Sequence, residues 1–210
     1  MPVRGRFISI EGGEAVGKST QIRLLADWLR TQGRTVTVTR EPGGTDSAEA
    51  IRALLLEGGA DRWNARSEAL LFAAARADHV ARLIRPAVDA GGWVLSDRFL
   101  DSSRAYQGIA GGLGDAAILD LHRFGSEGFL PDCTLLLELP ADEAARRALL
   151  RDGASSDRIG GRDAAYHAAV TQAFRDFAAA EPQRFRTIDA SGDSAVVHAR
   201  IVAAIAPLMA

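Results

Sequence analysis

Gly12-Gly13-Glu14-Ala15-Val16-Gly17-Lys18-Ser19 fits the pattern G-x-x-x-x-G-K-[ST], and its flanks decide the fold. Phe7-Ile8-Ser9-Ile10 leads in as an apolar run, and residues 21–29 lead out at helical spacing. Strand, glycine loop and helix together make a phosphate cradle. The glycines let backbone N–H groups turn inward, and the helix N-terminus adds partial positive charge. Gly12, Gly13, Glu14, Ala15, Val16, Gly17 and Thr20 then line the phosphates. Lys18 reaches the terminal phosphates and Ser19 holds magnesium. The competing reading is a plain glycine-rich turn, and the Lys-Ser pair argues against it.

Working outward, five short runs read as buried strands: 6–10, 35–39, 93–96, 133–139 and 185–188. Helical patterns fill 18–32, 46–57, 66–90, 115–127, 141–151, 163–180 and 193–209, with Pro86 expected to kink the longest or end it early. The alternation predicts an α/β protein with a three-layer P-loop fold. A five-stranded parallel sheet is flanked by helices in one domain over residues 1–210. Ligands of such sheets gather at the carboxyl ends of the strands.

Polar residues follow those ends. Arg40-Glu41-Pro42-Gly43-Gly44-Thr45 comes after the second strand and Asp97-Arg98 after the third. Arg40 and Arg98, with Arg52 a helical step away, are read as a clamp for an acceptor phosphate, because the guanidinium fork binds phosphate oxygens bidentately. Asp97 suits a carboxylate supporting magnesium, with a helix cap or an ion pair to Arg98 as the alternative. The segment at about 150–160 carries Arg151 and Arg158 among small residues. It reads as a short lid bringing arginines to a transferred phosphoryl group, or as a plain surface loop.

Composition narrows the field. The 210 residues carry a net charge of −2 with no basic tail, which argues against a nucleic acid polymer as partner. Cys133 is the lone cysteine, in an apolar run, and is read as an inert core thiol. The four histidines lie far apart without metal-ligand spacing. No run has the length of a membrane span or a signal segment, so a soluble cytoplasmic protein is expected.

Longer stretches carry a resemblance. Ile10-Glu11-Gly12-Gly13-Glu14…Gly17-Lys18-Ser19-Thr20, Arg40 to Thr45, Leu71-Phe72-Ala73-Ala74-Ala75-Arg76, Asp97-Arg98-Phe99…Ala105-Tyr106-Gln107-Gly108, Pro131-Asp132 and Asp157-Arg158-Ile159 are similar to bacterial thymidylate kinases, in order and over nearly the whole chain. The resemblance implies ATP and Mg2+ as cofactors, dTMP as the small-molecule acceptor, and a homodimer. It implies that Phe72 stacks on thymine and that Arg76, Ser103 and Gln107 read the base. Tyr106 packs by the deoxyribose, and Glu14 lies beside the sugar and acceptor phosphate. Arg40, Arg52 and Arg98 resemble the phosphate clamp, Lys18, Ser19 and Asp97 the ATP–magnesium machinery, and Arg151 and Arg158 the lid arginines. On residues alone, Phe72 reads as a core aromatic, and Tyr106 and Gln107 as a polar turn.

Some positions depart from the family pattern. Ala15 stands where glycine is common, Phe99 where tyrosine or histidine is frequent, and Gly160 where an acidic residue is usual. No arginine lies between Gly13 and Gly17, which shifts its catalytic burden to Arg151 and Arg158. The expected activity is phosphorylation of dTMP to dTDP. Two rivals stand beside it. One is a deoxynucleoside kinase with Glu41 as general base. The other is a nucleotide-binding switch without phosphotransfer.

Overall fold

The computed structural model describes residues 4–59, 61–140, 142–144, 146–147 and 158–209. Five strands, β1 (Arg6–Glu11), β2 (Val36–Arg40), β3 (Trp93–Asp97), β4 (Cys133–Glu138) and β5 (Phe185–Asp189), form one parallel sheet in the order β2-β3-β1-β4-β5. Around it lie α1 (Lys18–Thr31), α2 (Asp46–Leu56), α3 (Ala65–His79), α4 (Arg85–Asp89), α5 (Leu100–Ser103), α6 (Asp115–Ser126), α7 (Ala164–Ala180) and α8 (Ser194–Ile205).

The pleat sorts β1 onto two cores. Ile8 and Ile10 point to one face, against Ile22, Leu25 and Leu29 of α1 and Val197 and Ile201 of α8. Phe7 points to the other face, among Ala69, Val80, Ile84 and Ile118. The three central strands β1, β3 and β4 are covered on both faces and are largely apolar, whereas the edge strands β2 and β5 alternate with polar residues. The polar exceptions are paired: Ser9 meets Thr134 at 3.0 Å between buried hydroxyls.

Register sets the site. Ile10 lies opposite Asp97, and Asp97 opposite Arg40, so β1, β3 and β2 end side by side. The chain leaves β1 for β2 and β3 on one side, then crosses to β4 on the other. Their carboxyl ends therefore open at a topological switch point.

The long helix is interrupted without ending at Pro86. A π-helical stretch, Val80–Ile84, precedes α4, and Pro86 falls in the first turn of α4, where its missing N–H costs little. A second π-helical stretch, Arg104–Ala110, continues α5 where the sequence suggested a turn. A buried charge cluster holds it. Arg184 binds Asp101 through both nitrogens at 2.6 and 2.9 Å, and Arg104 adds 3.0 Å. Asp101 is fully buried, so this pairing removes the penalty of an isolated charge. Most of the expected 141–151 helix and most of the 150–160 segment, Arg151 included, lie outside the described residues.

Candidate active site

The glycine loop folds as its residues require. Gly12 has φ +132° and Gly17 φ +96°, and a Cβ on Gly12 would meet the Leu137 carbonyl at 2.4 Å. Ala15 takes φ +56°, a left-handed conformation that the glycine common at this position would adopt without strain. Lys18 curls over the loop, donating to Gly13 O at 2.6 Å and Gly12 O at 3.2 Å. Burial, then the neighbouring Arg98 charge, pushes its ammonium down to about 7. A bound polyphosphate oxygen would supply the missing counter-charge. Ser19 opens α1 and donates to Asp97 Oδ2 at 3.1 Å. That places a hydroxyl and a carboxylate together at the cradle mouth, a hard oxygen donor pair suited to Mg2+.

Next to the cradle is a cleft with about 560 Å3 of open space. Glu14, Arg52, Phe72, Arg76, Arg98, Ser103, Tyr106 and Gln107 all line it. Phe72 is half-buried and faces this space, so it is not the core aromatic that the apolar helix face suggests. Arg40 is the exception among the residues read for the acceptor. It is exposed and pairs with Glu49 at 3.2 Å, outside the cleft. A position at a strand end fixes the edge of the sheet but not the direction of the side chain.

Arg98 joins the two sites. Its backbone is left-handed at φ +68°, and its Nη1 donates to Gly12 O at 3.2 Å and Ser102 Oγ at 3.1 Å. Its guanidinium lies 5.1 Å over the Tyr106 ring. Ser102 in turn donates to Glu11 Oε2 at 2.6 Å, and Phe99 N–H donates to Glu11 Oε1 at 2.7 Å. Burial, then the Asp101 charge, pushes the Glu11 carboxyl up to about 8.

That elevation has a measurable sign. A carboxyl whose folded pKa lies above its unfolded value contributes most stability at low pH, and the contribution fades as pH rises through about 8. Glu11→Gln keeps an acceptor for the Phe99 N–H and turns the Ser102 hydroxyl from donor to acceptor, but cannot titrate. The wild-type melting temperature, relative to Glu11→Gln, is therefore expected to fall by several degrees from pH 5 to pH 9. A constant difference across that range means Glu11 is ionised throughout.

Arg76 sits in a relay that sequence reasoning missed. Its Nε donates to Glu41 Oε2 at 2.7 Å, and its Nη2 donates to Ser103 Oγ at 2.8 Å. His79 Nδ1 lies 3.0 Å from Glu41 Oε1, and His79 Nε2 lies 2.7 Å from Thr39 Oγ1. Burial pushes the Glu41 carboxyl up, but Arg76 and His79 outweigh it and hold it below its ordinary range. With both oxygens engaged, Glu41 is a support for Arg76. That engagement disfavours Glu41 as the general base of the deoxynucleoside kinase rival. His79, one turn beyond Arg76 on the same helix, was the available signal.

Arg158 is buried, with Nε donating to Leu55 O at 2.9 Å and Nη2 paired to Glu68. In this conformation it is held between α2 and α3. Gly160 O lies 3.2 Å from His167 Nε2, so a backbone contact anchors the position where an acidic side chain was expected. Cys133 is buried and free, its thiol pushed up to about 11 by burial, as suits an inert core thiol.

A phosphate cradle and an arginine-lined acceptor cleft, sharing Arg98 at one sheet edge, define a P-loop protein of the nucleoside monophosphate kinase type. The thymidylate kinase family model matches residues 10–201. The thymidylate kinase of Rhizorhabdus wittichii is 62% identical over 205 residues, covering 98% of this chain and 99% of that protein. That of Afipia carboxidovorans is 48% identical over 202 residues, covering 95% and 88%. The crystal structure of thymidylate kinase from Ehrlichia chaffeensis superposes with a TM-score of 0.77 at 28% identity, covering 97% of this chain and all of that one. The chain belongs to the thymidylate kinase family.

Proposed function

We propose that this chain transfers the γ-phosphoryl group of ATP to dTMP, giving dTDP and ADP. The observation that carries the reading is Arg98, which touches the Gly12 carbonyl of the cradle and lines the acceptor cleft with Arg52 and Arg76. A phosphate monoester has a second pKa near 6 and is mostly a dianion at neutral pH. One of its oxygens attacks the γ-phosphorus while the bond from that phosphorus to the β-bridging oxygen breaks. No proton needs to leave the nucleophile, so no general base is needed. What the step does need is relief of charge. Two unit charges 4 Å apart repel by about 4 kcal/mol at an effective dielectric near 20. Lys18 offsets this on the ATP side and Arg98 and Arg52 on the acceptor side. Arg151 and Arg158 remain the proposed lid arginines, with Arg158 needing to leave Glu68 to take part.

Ser19 and Asp97 are assigned to Mg2+, which would neutralise phosphate charge when bound. Phe72 stacks on the base, Tyr106 packs against the sugar beside Glu14, and Arg76, Ser103 and Gln107 meet the base edge. Leu70 and Phe124 are 56% and 92% exposed on the packed helices α3 and α6, and a second copy of this chain is the proposed cover, making a homodimer. No helix among the described residues is long and apolar enough to cross a membrane. We place the enzyme in the cytoplasm as one domain over residues 1–210.

Incubation with ATP and either dTMP, thymidine or no acceptor tests the activity. ADP release is expected only with dTMP, and only while Mg2+ is free of chelator. Turnover of thymidine alone overturns the assignment, and acceptor-independent hydrolysis restores the switch.

Arg76→Ala is expected to act twice. It removes a base-reading fork and strands the buried Glu41 carboxylate, which costs about 3–5 kcal/mol of stability. The ratio of kcat/KM for dTMP over dCMP should fall about tenfold or more. Melting curves and competing-substrate kinetics read the two effects separately, and an unchanged base preference removes Arg76 from recognition.

A further inference from the structure

Glu68 stands in the first turn of α3, 3% exposed, and touches no residue of the reaction described above except Gln107 and Arg158. Its Oε1 accepts from Gln107 Nε2 at 2.9 Å. Its Oε2 pairs with Arg158 and, at 3.3 Å, with Arg162. An ionised carboxylate can only accept hydrogen bonds, so it forces Gln107 to present its NH2 end. This holds whichever way the amide is drawn, because the reverse orientation would set two acceptors against each other. Gln107 lines the cleft, and with its NH2 end turned to Glu68 its carbonyl oxygen is the acceptor it can offer there. Such an acceptor matches a pyrimidine whose ring N3 carries hydrogen, as in thymine. It repels cytosine, whose N3 is itself an acceptor.

The two arginines complete the device. Arg158 and Arg162 hold Oε2 and leave Oε1 for Gln107. We infer that Glu68 is a positioning residue for base selection: with Oε2 taken by Arg158 and Arg162, its Oε1 fixes the Gln107 amide so that the cleft accepts an N3–H pyrimidine and rejects cytosine. The inference rests on reading the cleft as the dTMP site.

The test measures binding and kcat/KM for dTMP and dCMP with the full-length enzyme. Glu68→Gln offers an amide that can pair with Gln107 in either orientation. The dTMP/dCMP ratio is expected to fall about tenfold, carried by weaker dTMP binding and stronger dCMP binding, with kcat at saturating dTMP changing much less. Glu68→Asp keeps the charge for both arginines but draws the carboxylate one methylene back from Gln107, so the same loss of discrimination is expected in a variant with its ion pairs preserved. In a Gln107→Met background, Glu68→Gln should change the ratio no further. An unchanged ratio in both Glu68 variants overturns the inference. So does a fall in kcat alone, which would make Glu68 only an anchor for the arginines, and so does a further drop in the Gln107→Met background. Failure of the wild-type enzyme to use dTMP is a different result, and it overturns the activity itself.

Discussion

Lys18→Ala is expected to lower kcat/KM for ATP-dependent phosphorylation of dTMP by about 10³-fold or more while leaving the fold as stable as before. The two halves of this expectation have one cause. Lys18 is 8% exposed, and its ammonium donates to the Gly12 and Gly13 carbonyls. Burial and the Arg98 charge press its pKa down to about 7, so folding gains little from keeping it charged. Its hydrogen bonds go to backbone carbonyls, and the pull of the nearby Asp97, Glu14 and Glu11 carboxylates is outweighed by burial and Arg98. The transferring phosphoryl group, by contrast, loses the one ammonium placed on the loop. Charge that develops in a site walled from water is worth far more than the same charge in solvent. Melting curves beside steady-state kinetics check both halves. A variant within tenfold of wild type would mean that the glycine loop does not hold the reacting phosphates.

The sequence carried the frame because the frame is local. Strand runs, the helix after Gly17 and the Gly-Lys-Ser ending are set by neighbours in the chain, and each strand closed within a residue or two of its expected end. Phe72 and Arg76 could be paired because four residues make one helical turn. The supports were hidden for the opposite reason. Glu41 meets Arg76 across 35 positions, Gln107 meets Glu68 across 39, and Arg184 meets Asp101 across 83. Nothing in a charged residue's own neighbourhood says that it will be buried, and burial is what makes the partner obligatory. The Leu100–Ala110 helix was obscured similarly. Asp101, Ser102 and Ser103 are poor helix formers, and tertiary ion pairs to Arg184 and Asp115 override that preference. Arg40 misled in the other direction. Its place in the chain is beside the site, but its side chain turns to Glu49, whose Oε1 also accepts the Gly44 N–H at 3.0 Å. That contact ties it to the loop, while Arg52 and Arg98 line the cleft.

That division of labour makes Arg98 the most exposed point of the mechanism, and Arg98→Ala should cost about 10³- to 10⁴-fold in kcat/KM. Its guanidinium both lines the acceptor cleft and bonds the glycine loop. Its position is paid for by a left-handed backbone, at φ +68°, that alanine would share, so the substitution brings no relief of strain to blur the result. Arg98→Lys separates charge from geometry. A lysine keeps the cation but cannot donate in a planar fork to Gly12, Ser102 and a phosphate together, and it should recover only part of the loss, remaining about 10- to 100-fold impaired. Binding of dTMP, measured alongside turnover, locates the defect. If Arg98 acts mainly as donor and acceptor phosphates approach, kcat falls more than dTMP affinity does, because repulsion between the two phosphates peaks in the transition state. If lysine and alanine are equally damaging, the fork rather than the charge is the working part. If neither matters, the two sites are not coupled through this residue, and the reading of the cleft as the acceptor site fails with it.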